Sequence, residues 1–473
     1  MVGIKACGAY IPLYSLSREL IAKAWDFPPV PGSRALANND EDSITMAVEA
    51  GWDCLHKIEP KTVDGVYFAT TTSPYAEKQG AALIAAALDM RKDVQTIDFT
   101  DSLRAGTTAM IAAYNAIKSG TANSILVVAS DCRIAEPESM FEFQMGDGAA
   151  AVLLSKDDVG ATIEGFHTVS EEFTGPWRRA KDTYIREFEV KHDGIYGFAN
   201  QVGAVLMGLA QKYKLDPKSV SKLIMYAPDP RAPVEIAKRM GVDAKNVQDT
   251  MFFSIGNTGT ALAPMMLVAA LEQAQPNQKM VVVGVGDGAD ALLLNTTDKV
   301  SQIKGKRGVT GHIFSMKPLK NYNEYIRNKQ LLERERFSRR TSTVIYYRDK
   351  AKILNLHGMK CKACGTIQYP IQRVCMECGA KDNWEEIRLP KTGKVFTFTL
   401  DHLVGGEYLV TPVPRIVVNL DGGGKIFLEM TDCEPNEVKI DMPVELTFRW
   451  LHESAYFRHY YWKCRPVRGG ISK

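Results

Sequence analysis

Residues 280–294 read MVVVGVGDGADALLL, and an earlier stretch reads ILVVASDC at 125–132 and GDGAAAVLLS at 146–155. Each copy joins an apolar run, rich in β-branched residues, to a GDGAxAxLL element, and the two elements begin at Gly146 and Gly286, 140 residues apart. Identity at glycine, aspartate and glycine within the same apolar frame reads as an internal duplication of one α/β half. Upstream of the two copies, Thr107–Ser119 and Thr260–Gln273 carry apolar residues at helical spacing. A helix followed by a wholly apolar strand is the pattern of a sheet covered on both faces. Residues 1–300 are therefore expected to form two similar α/β halves packed together.

The composition bounds the rest. The chain has 473 residues, 45% hydrophobic and 24% charged, with 58 Lys+Arg against 55 Asp+Glu. That balance excludes a disordered or collagen-like chain, and the length suggests several domains, each with its own core. A net charge of +3 provides no global field for phosphates, so nucleic acid is not an expected partner. No apolar run is long enough to span a bilayer, and the first 20 residues lack the pattern of a signal peptide. Nine cysteines, four of them clustered, fit a reducing compartment better than a disulfide framework, and the cytoplasm is the expected location.

The pattern changes after residue 300. Residues 301–355 read as a basic, partly helical connector; residues 301–350 hold 13 Lys+Arg against 4 Asp+Glu, and KNYNEYIRNKQLLERERFSRR (320–340) reads as a polar helix. A solvated strap is the simpler reading, and a surface for acidic partners or ligand phosphates is the alternative. From Lys391 onward, short alternating strands broken by glycine, KVFTFTLDHLV (394–404), RIVVNLDGGGKIFLEM (415–430) and PVELTFRWL (443–451), predict a small antiparallel barrel within 389–473.

Between them, Cys361 and Cys364 form one CxxC, and Cys375 and Cys378 form a second after ten intervening residues; Gly365 and Gly379 trail the two pairs. Two such knuckles supply four thiolates for one tetrahedral ion at about 2.3 Å per bond, which favours zinc. All four positions are used, so the ion of this 356–388 segment is structural.

On GIKACGAYIPLY (3–14), NDEDSITMAVEA (39–50), TSPYAEKQ (72–79), RAGTTAM (104–110), GDGAAAVLL (146–154), SIGNTGTA (254–261) and GVGDGADALLL (284–294), the first domain resembles the thiolase superfamily, and within it the archaeal type of 3-hydroxy-3-methylglutaryl-CoA (HMG-CoA) synthase. The resemblance implies an α/β fold, a duplicated five-layered thiolase arrangement, paired as a homodimer through the strand edge beside the nucleophile turn, with Ile97–Met110 suited to the buried interface. The last third is similar to the rubredoxin-like zinc ribbon and OB-fold module that accompanies acyl-CoA thiolases and synthases of this type, so a thiolase or another acyl-CoA enzyme is a further expected partner.

The resemblance also marks what is missing. The family's nucleophilic cysteine stands four residues before the threonine of the (K/R)AGT stretch, and here that place is Leu103. The family's acid/base glutamate falls at Thr71 or its neighbour Thr72, and its histidine at Tyr226 in Met225-Tyr226-Ala227-Pro228-Asp229-Pro230. Asn257 of the GNT motif is kept. Leucine cannot form an acyl-enzyme, and Cys7, Cys54 and Cys132 read as core residues. The expected remaining machinery is an oxyanion hole from the backbone of Leu103 and Gly286 with Asn257 beside it, and Tyr226 as acid or base, with Asp229 or Asp101 as substitutes. Asp147 and Asp287, in matching copies of the GDGA element, read as turn caps. The resulting expectation is Cys-independent aldol or retro-aldol chemistry on a CoA thioester. A non-catalytic acyl-CoA-binding subunit bridging a thiolase and a synthase, and an HMG-CoA-synthase-like condensing enzyme, are the alternatives.

Overall fold

The computed structural model describes residues 1–473 apart from 174, 188, 190–191, 227–230, 333–341, 405–407, 409, 455 and 470–473. Nine strands build the main sheet: β1 (Gly3–Tyr10), β2 (Gly65–Ala69), β3 (Gln95–Phe99), β4 (Ser124–Asp131), β5 (Gly148–Ser155), β6 (Ala161–Ser170), β7 (Val220–Ile224), β8 (Lys279–Val285) and β9 (Gly288–Thr296). Their spatial order is β3-β2-β4-β5-β1-β6-β9-β8-β7. The order is palindromic about the β1–β6 contact: β2, β4, β5 and β1 of one half correspond to β7, β8, β9 and β6 of the other. The two GDGA elements thus start β5 and β9, each returning antiparallel to the strand before it. The duplication expected from sequence is therefore present in the topology.

Alternation along the strands sets the layers, because successive side chains point to opposite faces. Ile125, Val127 and Ala129 of β4, and Met280 and Val282 of β8, share one core with helices α1 (Ala105–Lys118) and α2 (Leu262–Gln273). Leu126 and Val128 face the opposite way, onto the helices at 43–54 and 80–87. Val281 and Val283 face an outer core built on the helices at 200–213 and 232–239. Two inner helices between two half-sheets, with outer helices on either side, make five layers. Burying each large aliphatic side chain stabilises this stack by about 1.5–3 kcal/mol.

The C-terminal part is a ribbon sheet of His357–Cys361, Ile367–Gln368 and Trp384–Arg388, followed by a five-stranded antiparallel sheet spanning 392–466. This sheet's core is continuous with the outer helices of the first half. The joint itself is ionic. Arg449 is wholly buried and pairs with Asp40 at 3.2 Å, Glu41 at 2.7 Å and Asp432 at 2.7 Å. Lys463 reaches Asp40, Arg458 reaches Asp42, and Arg465 reaches Glu49. Buried charges are tolerated only when paired, so residues 40–42 act as the docking loop for the barrel.

The connector departs from the expected long polar helix. It is helical at Gly308–Phe314, Tyr322–Asn328, Thr343–Arg348 and Lys350–Ile353, and residues 333–341 lie outside the described set. It is also more than a solvated strap, because Lys329 turns inward and is buried against Asp147. Among the described residues, no helix is long and apolar enough to cross a membrane.

Candidate active site

The carboxyl ends of β4 and β8 and the turn into α1 meet in one place. Gly286 directly follows β8, and a Cβ there would lie 2.9 Å from the Leu103 nitrogen, so only glycine lets the two backbones approach this closely. Ser102 donates its hydroxyl to the Gly286 carbonyl at 2.9 Å and closes the contact. The Leu103 N–H makes no hydrogen bond among the described residues and remains a candidate oxyanion donor. The expected second donor needs correction: the Gly286 N–H already donates to the Gly288 carbonyl at 2.9 Å, across Asp287 in the left-handed region.

The turn after β2 holds Thr70, Thr71 and Thr72, where an acid/base glutamate was sought. A carboxylate does stand there, but it comes from Asp131 at the end of β4. Its two oxygens accept from the Thr70, Thr71 and Thr72 hydroxyls at 3.0, 3.0 and 2.9 Å, and from the Thr71 and Thr260 N–H groups at 2.7 and 2.8 Å. Five donors saturate a wholly buried carboxylate, so Asp131 organises the turn and has little capacity to act as a base. The Thr71 carbonyl accepts from Arg178 at 2.7 Å.

Tyr226 and Asn257 converge. Tyr226 follows β7, and Asn257 lies in the loop that bridges to Met145, directly before the first GDG element. The Asn257 side-chain oxygen accepts from the Gly259 N–H at 2.9 Å and from Arg133 Nη2 at 2.8 Å. The first contact closes the Gly-Asn-Thr turn; the second ties the asparagine to a buried cation. The Tyr226 hydroxyl is buried and makes no hydrogen bond of good geometry among the described residues, although the Asn257 amide is close enough to act on it. Burial pushes this phenol up to about 12, against the opposing pull of Asn257, Arg133 and Arg18. At neutral pH Tyr226 therefore holds its proton, which suits an acid and corrects the expectation that it could equally be a base. Asp229 lies outside the described residues. Asp101 is exposed at the turn before α1 and bonds the Thr100 hydroxyl.

No thiol fills the missing nucleophile's role. Cys7 and Cys54 are buried, and burial raises both well above the ordinary thiol range. Cys132 is half-buried rather than a core residue, and lines a cleft of about 380 Å³ with Thr72, Arg178, Lys329, Trp450 and Arg458. Its Sγ lies 3.2 Å from Lys329 Nζ, yet burial, with help from Asp147, pushes it up to about 12. Asp147 is likewise no turn cap: it accepts from the Ala37 N–H at 2.7 Å and pairs with Lys329 at 2.5 Å.

The ribbon's sulfurs meet the zinc expectation. The four Sγ atoms of Cys361, Cys364, Cys375 and Cys378 lie within 4.8 Å of one another, with contacts of 3.7 Å for Cys361–Cys378 and 3.6 Å for Cys364–Cys375. A tetrahedron of roughly 2.3 Å Zn–S bonds has edges of about 3.8 Å, so the cage fits a zinc ion. Gly365 and Gly379 take positive φ and return their N–H groups to the Cys361 and Cys375 carbonyls at 2.9 Å, which closes each knuckle.

Comparisons with known proteins follow the same division of the chain. Residues 97–171 match the 3-oxoacyl-[acyl-carrier-protein] synthase III family, and residues 210–294 match that family's C-terminal region. Residues 348–385 match the rubredoxin-like zinc ribbon domain of ChsH2, and residues 386–449 match its C-terminal OB-fold domain. The hydroxymethylglutaryl-CoA synthase of Aeropyrum pernix is 31% identical over 314 residues, covering 64% of this chain and 87% of that protein. That of Pyrobaculum arsenaticum is 28% identical over 346 residues, covering 70% of this chain and 99% of that protein. The crystal structure of an HMG-CoA synthase complexed with CoA superposes with a TM-score of 0.63 at 17% identity, over 72% of this chain and 94% of that one. FabH, the 3-oxoacyl-(acyl carrier protein) synthase III of Pseudomonas aeruginosa, gives 0.58 at 20% identity, over 63% and 98%. Both structures share the fold of the first domain.

Proposed function

The chain belongs to the hydroxymethylglutaryl-CoA synthase family, and from that premise we propose that it is a condensing enzyme for acyl-CoA thioesters that works without an acyl-enzyme, by aldol-type chemistry in either direction. The observation that carries this reading is a protonated Tyr226, its hydroxyl buried, beside Asn257 in a site where no thiol is activated for attack. In the condensing direction a base from solvent takes an α-proton of the thioester, the proton that later restores Tyr226. The resulting enolate, its oxygen held by the Leu103 N–H, bonds through its α-carbon to an acceptor carbonyl. The acceptor oxygen gains the electron pair and takes the Tyr226 proton. The reverse sequence cleaves a β-hydroxyacyl thioester. The half-exposed Ile97 and Phe99 on the edge strand β3 support pairing of two chains along that edge.

The test is mass spectrometry of CoA products after mixing the protein with β-hydroxyacyl-CoAs, and with acetyl-CoA plus ketones or aldehydes. Loss of the general acid in Tyr226→Phe is expected to slow turnover by about 10²–10⁴-fold. A covalent acyl adduct on any cysteine would overturn the mechanism. A second reading, an acyl-CoA-binding bridging subunit, is favoured by the sealing of the Tyr226 hydroxyl from solvent. It takes over if no substrate turns over while acyl-CoA still binds.

A further inference from the structure

A cleft of about 380 Å³ lies where three parts of the chain meet. The first domain contributes Thr72, Cys132 and Arg178, the connector Lys329, and the barrel Trp450 and Arg458. The cleft adjoins the candidate site. The Thr72 hydroxyl donates to Asp131 at 2.9 Å and accepts from the Cys132 N–H at 3.0 Å, and Arg133, the next residue, binds Asn257. The Trp450 main-chain N–H donates to the Asp40 carbonyl at 3.0 Å, so the loop that docks the barrel also places the indole. A concave space of this order suits a small ligand.

The lining shows which kind. Among its described residues only Ala37, Pro74 and Ile134 are aliphatic, so a long acyl chain has little to pack against. Three cations, Arg178, Lys329 and Arg458, face three carboxylates, Glu41, Asp42 and Glu453, so the wall carries no net charge. The carboxylates are largely committed. Glu41 accepts from Arg449 and the Asn38 N–H at 2.7 and 2.8 Å, Asp42 accepts from Arg458 and the Tyr460 hydroxyl at 2.9 and 2.7 Å, and Glu453 stands opposite Arg458 on the paired strand.

Donors are left over. An ammonium has three N–H groups, and Lys329 spends two, on Asp147 and on the Cys132 sulfur at 3.2 Å. Its third has no partner among the described residues, although the side chain is only 5% exposed. The Trp450 indole N–H is buried and unpartnered. Arg178 bonds only main-chain carbonyls, those of Thr71 at 2.7 Å and Asp182 at 3.3 Å. Buried donors left unpaired are unfavourable, and oxygen acceptors in the cleft relieve them.

We propose that this cleft receives the carbonyl partner of the carbon–carbon bond step, a short, oxygen-rich aldehyde or ketone whose oxygens accept from Lys329, Trp450 and Arg178. The ligand's role in the reaction rests on the aldol reading, whereas the binding site stands on the lining alone. Trp450 and Arg458 make the barrel one wall of the site, and fusion to the first domain holds that wall against the threonine turn.

Binding is read without acyl-CoA, so turnover bears on the aldol reading and leaves this test independent. The full-length protein is labelled with fluorotryptophan, and the Trp450 resonance is identified by its loss in Trp450→Phe. Pyruvate and dihydroxyacetone, one anionic and one neutral, are titrated beside butanone, which has a single oxygen. A saturable shift of the Trp450 resonance is expected with the two oxygen-rich ketones and not with butanone. Arg178→Gln should weaken it about 10–100-fold, the usual effect of losing a charged donor, and Arg178→Lys should retain most of the affinity. A resonance that moves with none of the three, or as readily with butanone, overturns the proposal, as does unchanged affinity in Arg178→Gln.

Discussion

The two copies of the GDGAxAxLL element share seven residues and a strand, yet bury different charges. In the first copy the turn aspartate, Asp147, is fully buried and its carboxylate reaches across the molecule to Lys329 and the Ala37 N–H. In the second copy the matching Asp287 is an exposed turn residue, and the buried carboxylate is Asp290, three positions on, where the first copy has Ala150. Asp290 accepts from Thr107, Thr108 and Thr168 at 3.0, 2.8 and 3.0 Å and pairs with Arg104 at 3.3 Å. It therefore fastens the first turn of α1, the segment that carries Leu103, whereas Asp147 fastens the connector. The same local sequence makes the same strand and turn, and what each aspartate does depends on which segment is packed opposite.

One substitution, Asp→Asn, at the three positions separates these roles. Asp147→Asn leaves Lys329 buried without its counter-ion, although Asp147 had raised that lysine's affinity for its proton against burial. The expected loss is about 3–5 kcal/mol in chemical denaturation. Asp290→Asn keeps an acceptor for the threonine hydroxyls but loses the pairing with Arg104. A loss of about 1–3 kcal/mol is expected, together with slower turnover, because the Leu103 turn is no longer pinned; retention of full activity would show that α1 positions itself without this latch. Asp287→Asn tolerates the positive φ of its turn and should change stability by less than about 0.5 kcal/mol. If the Asp147 and Asp287 variants unfolded alike, the two copies would be equivalent and the contrast would disappear.

Much of the fold was legible because its signals are local. The continuous apolar runs ILVVA and MVVVGV, the helix-spaced stretches before them, and the glycine-closed CxxC pairs each lie within about a dozen residues, and the structure builds each where the pattern puts it. The candidate site was legible only in part. Leu103 meets Gly286, and Tyr226 lies beside Asn257, but the Gly286 N–H is already used and Tyr226 keeps its proton. Asp131 and Arg133 were passed over, although they flank the end of an apolar strand, and the carboxyl ends of such strands are where α/β sheets gather ligands.

The sequence by itself determined the duplicated α/β halves, the four zinc thiolates, the alternating strands of the barrel and the absence of a cysteine at residue 103, since each depends on residue type and short-range spacing. Only the tertiary structure decided that Asp131 saturates the threonine turn, that residues 40–42 dock the barrel through Arg449, and that Lys329 is drawn in by Asp147. Those partners are more than 50 residues apart in the chain. The energy of a buried charge is set by what surrounds it in space, and no short stretch of sequence specifies those surroundings.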